Sequence, residues 1–470
     1  MLFSSTSFLC FFLPLVLFIY YVFLRKNVWL KNMFLLVVSL FFYAWGEPKF
    51  VLVMVLSIVC NYFFGLLVAK DRRKLWIVLM LIFNIGLLFV FKYLMFTIYN
   101  INILAGANFT VPSIVLPIGI SFFTFHSISY VMDIYRGKVE VQKNLFYVGL
   151  YISFFPQLIA GPIVRYNTIA DQITNRKENF EDFSYGVCRF ILGLAKKVLI
   201  ANNIALVADK AFNTPSGELS TAMAWLGLVA YTLQIYFDFS GYSDMAIGMG
   251  RMFGFHFLEN FNYPYIAKSI SEFWRRWHIS LGSWFRDYVY FPLGGSRVKS
   301  NGRLVFNLFV VWGLTGFWHG ANWSFICWGL LYFVFITIEK LSNFEKRSTN
   351  LSWLKHIYVL FLVMMGWVLF RAADFTTASN YFQTLFHLNN NNLVSDMAIL
   401  NFRENVFYYI AGIIFSMPVV AWIGEKFKDK TSSLTKTYQI IRPVIYFALF
   451  FLALSFIVKD AYNPFIYFNF

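Results

Sequence analysis

The sequence predicts an all-α, multi-pass membrane protein, a bundle of roughly 11–13 transmembrane helices with additional re-entrant or interfacial helices. Hydrophobic residues make up 59% of the chain, charged residues 13%, and the mean hydropathy is +0.62. Soluble domains have about 45–50% apolar and about 25% charged residues. Apolar stretches of about 20 residues, enough for a helix to cross a membrane, recur from Phe8 to Val458. A soluble protein is therefore excluded, and residues 1–470 are expected to form a single integral membrane domain.

Hydropathy places the candidate spans in order along the chain. The early spans are 8–24, 28–46, 49–69, 75–96, 114–132 and a Pro/Gly-interrupted stretch at 145–163. The later spans are 186–208, 222–238, 241–257, 304–318, 322–339, 354–370, 405–424 and 441–458. Nearly continuous apolar runs such as Leu75–Val90 favour helices over the alternating strands of a β-barrel. The first span lacks a small-residue cleavage site, so we expect an anchor and not a removed signal peptide.

The formal net charge of +16 comes from basic residues in short loops between the spans. This distribution is typical of the positive-inside rule and does not indicate a nucleic-acid partner. One alternating topology places the Arg25–Lys26 pair, the Lys70–Lys74 loop and the Arg136–Lys143 loop together on the cytoplasmic side. The uncharged loop Tyr99–Ser113 and the N-terminus are then expected outside.

His319 lies at the junction of two apolar stretches, within the segment GFWHGANW. An ionisable side chain in this setting is costly unless it faces a partner or a cavity, so it is a functional candidate. Burial favours the neutral imidazole, which can accept a proton as a general base must. Gly316 and Gly320 allow a substrate or another helix to approach the backbone closely. The alternative is a structural histidine that is hydrogen-bonded to a neighbouring helix.

The segment from Glu272 to Arg297 is the second candidate site. It lies in the stretch 258–303, which is too polar to face lipid and too aromatic for a solvated loop, so we expect re-entrant or interfacial helices there. Guanidinium groups bind phosphate bidentately, and Trp and Tyr rings can stack on adenine, so coenzyme A is a suitable ligand. The alternative is an interfacial aromatic belt with cytoplasmic arginines. The candidate ligand-binding residues are Trp274, Arg275, Arg276, Trp277, Arg286 and Arg297. Helical spacing predicts that one face is formed by Trp274, Trp277, His278 and Leu281.

A third candidate is the segment YFDFSGYSD, which carries Asp238 and Asp244 at a predicted break between apolar stretches. Intramembrane carboxylates usually have a partner, and the arginines of segment 272–297 are the obvious ones. Either carboxylate could instead orient a histidine, and a purely structural role is the alternative. The remaining histidines show no comparable pattern and are treated as background: His126, His256, His356 and His387.

Several other chemistries have no support in the sequence. The four cysteines lie in apolar runs without C-x-x-C spacing, which argues against a metal cluster or a disulfide framework. The sequence contains no G-x-S-x-G, no Walker-type glycine loop and no H-E-x-x-H. It also shows no convincing internal repeat of the kind found in many transporters.

The three segments together resemble the membrane-bound O-acyltransferase family, and within it the bacterial branch of alginate O-acetyltransferase membrane subunits. They are YFDFSGYSDMAIG, the stretch from ENFNYPY through EFWRRWHISLGSWFRDYVYFPLGGSR, and GFWHGANW. The likeness extends to SFFTFHSISYVMDIYRGKVE, FFPQLIAGPIVRY and the terminal NPFIYFNF. It covers most of the chain from about Pro117, with the core motifs in residues 117–340, whereas the first hundred or so residues match only as apolar helices.

The resemblance implies a helical bundle around a central funnel, with His319 matching the family's active-site histidine and His278 its second polar position. It implies that acetyl-CoA on the cytoplasmic side donates an acetyl group to a hydroxyl presented from the outer side, without a tightly bound cofactor or metal. His319 would act as general base, and His278 would orient or polarise the reacting groups. The four arginines would hold the coenzyme's phosphates. Trp318 and Asn322, beside His319 in the motif, and the two carboxylates Asp238 and Asp244 are further candidate substrate contacts.

The same resemblance implies a bacterial inner-membrane protein that acts on a cell-surface or secreted polysaccharide. Alginate, peptidoglycan and cellulose are possible acceptors, and D-alanyl transfer to teichoic acid is an alternative reaction. An extracytoplasmic acetyltransferase or a small acyl-accepting protein is expected as partner. Two other classes stay open at this point: a flippase for a lipid-linked saccharide, and an inactive scaffold in a polysaccharide-secretion complex.

Overall fold

The computed structural model describes residues 1–70, 72–159, 161–346, 352–426, 433–459, 462–463 and 466. Regular structure in these residues is entirely helical, which confirms the predicted all-α class. The chain divides into two compact units, Met1–Phe190 with Tyr242–Leu258, and Ile191–Gly241 with Glu259–Phe470. A single membrane domain around a funnel stays a prediction, and most of the terminal NPFIYFNF lies outside the described residues.

The first unit is built mainly from helices in the first 190 residues. These are α1 (Leu13–Phe18), α2 (Val28–Gly46), α3 (Val51–Val68), α4 (Arg73–Leu88), α5 (Leu94–Ala105), α6 (Ile120–Tyr135), α7 (Leu145–Ser153), α8 (Phe155–Leu158), α9 (Tyr166–Asn175) and most of α10 (Phe180–Ala195). Segments of π-helix occur at Phe8–Phe12, Ile19–Phe23 and Phe89–Tyr93.

Polar side chains join the apolar helices of the first unit. Asn61 on α3 and Asn84 on α4 exchange amide hydrogen bonds of 3.1 and 2.8 Å, and both side chains are buried. Such pairs hold transmembrane helices together because lipid offers no competing hydrogen-bond partner. Buried Arg176 donates to Asn32 Oδ1 at 2.6 Å, and Lys31 Nζ lies 3.0 Å from the Glu178 carboxylate. These contacts are part of the internal packing of this unit.

The second unit contains the three motif segments, except that the motif YFDFSGYSDMAIG passes into the first unit after Gly241. Its helices are α11 (Asn202–Asn213), α12 (Thr221–Met252), α13 (Ile270–Arg276), α14 (Ile279–Phe285), α15 (Asn301–His319), α16 (Trp323–Leu341), α17 (Ser352–Arg371), α18 (Phe375–Leu385), α19 (Asp396–Phe415), α20 (Val419–Lys426) and α21 (Ser433–Lys459), with α12 continuing into the first unit after Gly241. Segments of π-helix occur at Lys196–Ala201 and Arg286–Tyr290, and 3-10 turns at Pro264–Ile266 and Phe344–Lys346.

Seven helical segments of the described chain are long and apolar enough to cross a membrane, or eight if α19 and α20, bent by 54°, form one broken span. They are Val28–Gly46, Val51–Val68, Arg73–Ala105, Phe180–Asn213, Trp323–Leu341, Ser352–Arg371 and Ile440–Lys459. Two further predicted spans, 114–132 and 145–163, correspond to the shorter helices α6 and α7 with α8. The protein is therefore a multi-pass membrane protein.

One prediction about the spans is wrong: residues 222–238 and 241–257 do not form two helices. Instead α12 continues without a break from Thr221 to Met252. The helix packs closely against its neighbour at Gly241, where a Cβ atom would lie 2.7 Å from the Gly193 carbonyl oxygen. Asp238 is buried beside this contact and finds its partner on the neighbouring segment. Small residues and paired polar groups are tolerated within membrane helices for these reasons.

Candidate active site

His319 is the last residue of α15, and α16 begins at Trp323. The two helices form a hairpin whose backbones touch. A Cβ atom at Gly316 would lie 2.5 Å from the Phe325 carbonyl oxygen, and one at Gly329 would lie 2.5 Å from the Trp312 carbonyl oxygen. The sequence predicted that a substrate or another helix approaches the backbone at Gly316, and the structure shows the close approach of a helix.

Aromatic rings surround the His319 imidazole. The ring centroids of Trp318, Trp328 and Phe370 lie 4.8, 4.9 and 5.1 Å from that of His319, all at steep interplanar angles. The residue is 4% exposed. Rings from α15, α16 and α17 therefore fix the orientation of this imidazole in an almost water-free environment. Such preorganisation is what a general base requires.

His278 lies at a break in the chain between α13 and α14. Its backbone has φ 45° and ψ 50°, the left-handed conformation that is uncommon for residues with a side chain. Because the helix ends at Arg276 and restarts at Ile279, the predicted single helical face of Trp274, Trp277, His278 and Leu281 is wrong.

The break places the His278 ring among aromatic side chains. The Phe239 ring lies 4.6 Å from it at 89°, and the Trp318 ring lies 6.4 Å away. Since Trp318 also contacts His319, the two candidate catalytic histidines belong to one aromatic cluster. Burial lowers the pKa of His278 to about 3.

Trp274 and Trp277 are components of this aromatic core. Trp274 packs edge-on against Trp312, Trp328 and Tyr332, and Trp277 stacks on Phe273 at 5.6 Å. Trp277 is buried. The contacts support the packing around His319, and stacking of either ring on an adenine stays a prediction.

The four arginines of segment 272–297 have side chains at the surface of the second unit. Arg275 donates to Glu345 at 2.8 Å and Arg276 to Glu272 at 2.8 Å. Arg286 lies 3.3 Å from its neighbour Asp287. Arg275 and Arg286 are 59% and 56% exposed, and Arg297 is also exposed. Exposed pairs of this kind are weak, so an incoming phosphate can compete for these guanidinium groups.

The carboxylates Asp238 and Asp244 pair with cations other than those predicted. Asp238 Oδ1 lies 2.6 Å from Lys197 Nζ, with both side chains at most 2% exposed, and its Oδ2 accepts from the Ile466 backbone N–H at 2.9 Å. Asp244, in the first unit, lies 2.6 Å from Arg189. The prediction that arginines of segment 272–297 pair with these carboxylates is therefore wrong. Lys197 and Arg189 were missed because ion pairing across distant segments leaves no local pattern.

Asn322 is a helix cap. Its Oδ1 accepts from the backbone N–H and the hydroxyl of Ser324, at 3.1 and 3.0 Å, and its Nδ2 donates to the Ala373 carbonyl at 2.7 Å. It thus closes the N-terminus of α16 and ties the hairpin to the residues after α17. Trp318, by contrast, lies in direct contact with His319. Substrate contacts of both residues stay predictions.

Asn260 is a site residue that the sequence did not indicate. Its Oδ1 lies 3.1 Å from His278 Nδ1 and also accepts from the Ser280 hydroxyl at 2.8 Å. One of two asparagines in the ENFNYPY loop has no distinguishing pattern, so only the fold reveals it. Among the described residues, no group of three or more His, Cys, Asp or Glu side chains is arranged to hold a metal ion.

The fold and site define an α-helical, multi-pass membrane protein with two buried histidines in one aromatic cluster of its second unit. Residues 40–375 match the membrane-bound O-acyltransferase family, and the chain belongs to this family. The protein is therefore an O-acyltransferase, and the flippase alternative is set aside.

Three relatives show which branch of the family this chain is similar to. A probable alginate O-acetylase AlgI of Azotobacter vinelandii is 40% identical over 433 residues, covering 90% of this chain and 85% of the relative. A peptidoglycan O-acetyltransferase of Helicobacter pylori is 34% identical over 522 residues, covering 100% and 98%. A teichoic acid D-alanyltransferase of Bacillus subtilis is 33% identical over 248 residues, covering 50% and 62%. The chain is thus similar over most of its length to the polysaccharide O-acetylation branch.

Proposed function

We propose that this protein transfers an acetyl group from cytoplasmic acetyl-CoA to a hydroxyl acceptor for O-acetylation of an extracytoplasmic polysaccharide. The observation that carries the proposal is His319, buried at the end of α15 and enclosed by Trp318, Trp328 and Phe370. The names of the relatives similar over most of this chain, a probable alginate O-acetylase and a peptidoglycan O-acetyltransferase, support acetyl as the transferred group.

In this mechanism His319 is the general base. It takes the proton of the acceptor hydroxyl as that oxygen attacks the thioester carbonyl carbon. The carbon–sulfur bond breaks, an oxygen ester forms, and the proton leaves with the coenzyme A thiol. Because the aromatic rings hold the imidazole in one orientation, positioning supplies much of the rate enhancement.

The arginines Arg275, Arg276, Arg286 and Arg297 would bind the coenzyme's phosphates. Their exposure and the weak pairs of Arg275 and Arg286 support this role, since guanidinium groups bind phosphate bidentately and exposed ion pairs hold them only weakly. The chain would then lie in a bacterial inner membrane with these side chains facing the cytoplasm and its N-terminus outside.

The acceptor is proposed from the relatives. Alginate and peptidoglycan are the polymers in the names of the relatives that cover most of this chain, and cellulose is a further member of the same chemical class. The teichoic acid D-alanyltransferase is similar over only half of this chain, so D-alanyl transfer is the second candidate. Final delivery requires a partner, an extracytoplasmic acetyltransferase or a small acyl-accepting protein.

Reconstitution with radiolabelled acetyl-CoA tests the proposal. The full chain, produced together with an extracytoplasmic acetyltransferase, is placed in liposomes that contain mannuronate oligosaccharides, muropeptides or cello-oligosaccharides. We expect labelled ester on one of these acceptors and release of coenzyme A thiol. Labelled D-alanine presented as a thioester is tested as a parallel donor. Transfer from this donor and not from acetyl-CoA would identify the transferred group as D-alanyl and overturn the proposal of acetyl.

Substitutions at His319 test the assignment of the base. His319→Ala and His319→Gln are expected to lower turnover at least 10²-fold, the lower end of what a general base contributes. The matched control is His356→Gln on α17, a histidine of the same unit whose Nδ1 lies 3.1 Å from the Ala267 carbonyl oxygen. Full activity in both His319 variants would overturn the assignment. Loss in His356→Gln as well would indicate a general effect on the fold.

A further inference from the structure

We propose that His278 is a hydrogen-bond acceptor through Nε2 and contacts a hydroxyl of the acyl acceptor beside the one that attacks, and that Asn260 is the positioning residue that keeps it in this form. The proposal rests on the acyl transfer proposed above and specifies which of the two substrates His278 contacts. A donor form of His278 would instead contact the thioester carbonyl oxygen.

The identity of the Asn260 oxygen follows from its neighbour Ser280. The Ser280 backbone N–H donates to Asn260 Oδ1 at 3.2 Å, and the Ser280 hydroxyl donates to the same atom at 2.8 Å. A backbone N–H can only donate, so the atom that faces it must be the carbonyl oxygen and not the amide nitrogen.

The tautomer of His278 follows from this oxygen. Nδ1 of His278 lies 3.1 Å from Asn260 Oδ1, which has no hydrogen to give, so Nδ1 must carry the proton. His278 is buried, and burial lowers its pKa to about 3, so the ring is neutral at neutral pH. A neutral imidazole has one N–H, and Nε2 is therefore its acceptor nitrogen.

Asn260 also holds the backbone that presents this ring. Its backbone carbonyl oxygen accepts from the Ile279 N–H at 2.9 Å, and the Asn262 backbone N–H donates to the Arg276 backbone carbonyl at 2.9 Å. The segment 260–262 thus runs beside the break between α13 and α14. These bonds stabilise the left-handed backbone conformation of His278, which is unfavourable for a residue with a side chain.

The chemistry follows from the acceptor nitrogen. The attacking hydroxyl has a single hydrogen, which His319 takes, and the thioester carbonyl has none to donate, so Nε2 of His278 pairs with a second hydroxyl of the polysaccharide acceptor. The Trp318 ring contacts both histidine rings. Its centroid lies 6.4 Å from that of His278 and 4.8 Å from that of His319. His319 removes the proton of the attacking oxygen, and His278 orients the acceptor without proton transfer of its own.

Solid-state nuclear magnetic resonance of the full chain in bilayers, with histidine labelled in both ring nitrogens, reads the tautomer directly. The His278 signals are identified by their loss in His278→Ala. We expect a protonated Nδ1 and an unprotonated Nε2 for His278 at neutral pH. A protonated Nε2 would overturn the proposal, whatever the outcome of the transfer assay.

Variants then test Asn260. Asn260→Ala is expected to lower turnover about 10- to 100-fold, as loss of a supporting contact commonly does, to leave the KM for acetyl-CoA unchanged and to alter the His278 nitrogen signals. Asn260→Asp retains the acceptor oxygen and is expected to restore the wild-type tautomer. Asn262→Ala, which removes an exposed amide from the same segment, is the matched control and is expected to behave like wild type.

The two proposals fail in different ways. If wild type transfers no acetyl group, the proposed function fails while the nitrogen signals still report the tautomer. If wild type is active but Asn260→Ala retains full activity and unchanged signals, Asn260 does not position His278. If Asn260→Ala does not fold, the wild-type nitrogen signals and the Asn260→Asp variant decide whether Asn260 fixes the tautomer of His278.

Discussion

At the scale of single residues, the most costly groups in this protein are the charges buried inside it. Lys197 and Asp238 are at most 2% exposed, and their charged atoms are 2.6 Å apart. Removing two charges from water is expensive, and the pair is tolerated only because each charge compensates the other. Lys197 lies in the π-helical segment Lys196–Ala201, a helix irregularity often found at sites under constraint.

Removal of one partner from this pair should destabilise the protein strongly. We expect Asp238→Asn to lower the free energy of unfolding by about 3–5 kcal/mol, because Lys197 keeps an uncompensated buried charge. The measurement is thermal unfolding in detergent. The double variant Lys197→Met with Asp238→Leu should recover much of the loss.

A second ion pair of the same unit provides the control. Arg371 and Asp209 lie at a similar distance, 2.8 Å, but their side chains are 31% and 30% exposed. Asp209→Asn is therefore expected to cost about 0–1 kcal/mol. Equal effects of Asp209→Asn and Asp238→Asn would contradict the argument from burial.

At the scale of elements, the hairpin of α15 and α16 determines where His319 lies. The helices touch at Gly316 and Gly329, and a side chain at either position would meet backbone atoms that have little freedom to move. Three helices then supply the aromatic rings around His319. The arrangement of aromatic rings around His319 thus depends on the separation of these two helices.

Gly316→Ala should separate these helices. Its methyl group would lie 2.5 Å from the Phe325 carbonyl oxygen, and we expect a loss of stability of about 1–3 kcal/mol, typical of overpacking, together with reduced turnover. Gly313→Ala on the same helix is the control because no atom lies within 4 Å of its added Cβ. That variant should be neutral or up to about 1 kcal/mol more stable owing to helix propensity. If both variants unfold at the wild-type temperature, the close contact is not important for stability.

At the scale of the whole molecule, the distribution of positive charge should set the orientation in the membrane. The chain carries 39 Lys and Arg against 23 Asp and Glu, and many basic residues lie in short loops. Such loops remain on the cytoplasmic side during insertion. The arginines of segment 272–297 must face the same side if cytoplasmic acetyl-CoA is the donor.

Cysteine labelling tests this orientation. In a variant without its four native cysteines, Asn108→Cys in the uncharged loop should react with a membrane-impermeant maleimide added to intact cells. Lys138→Cys, at an equally exposed position, should react only after the membrane is opened. Reaction of Lys138→Cys in intact cells would reverse the proposed topology.

The sequence alone determined the helical membrane class, the family resemblance and many spans, including Val28–Gly46 with both ends as predicted. Helix length and apolarity are local properties, and a bilayer requires both of them within one segment. His319 was also found from the sequence, because an ionisable residue between apolar stretches is conspicuous.

Only the tertiary structure decided which polar side chains pair with one another. Pairing of Asp238 with Lys197, the contact of Asn260 with His278 and the unbroken course of α12 depend on segments that are distant in the chain. A polar residue within an apolar run indicates that a partner is needed, but the partner is chosen by packing. For that reason the sequence suggested arginines for Asp238 where the fold supplies a lysine, and left Asn260 unnoticed.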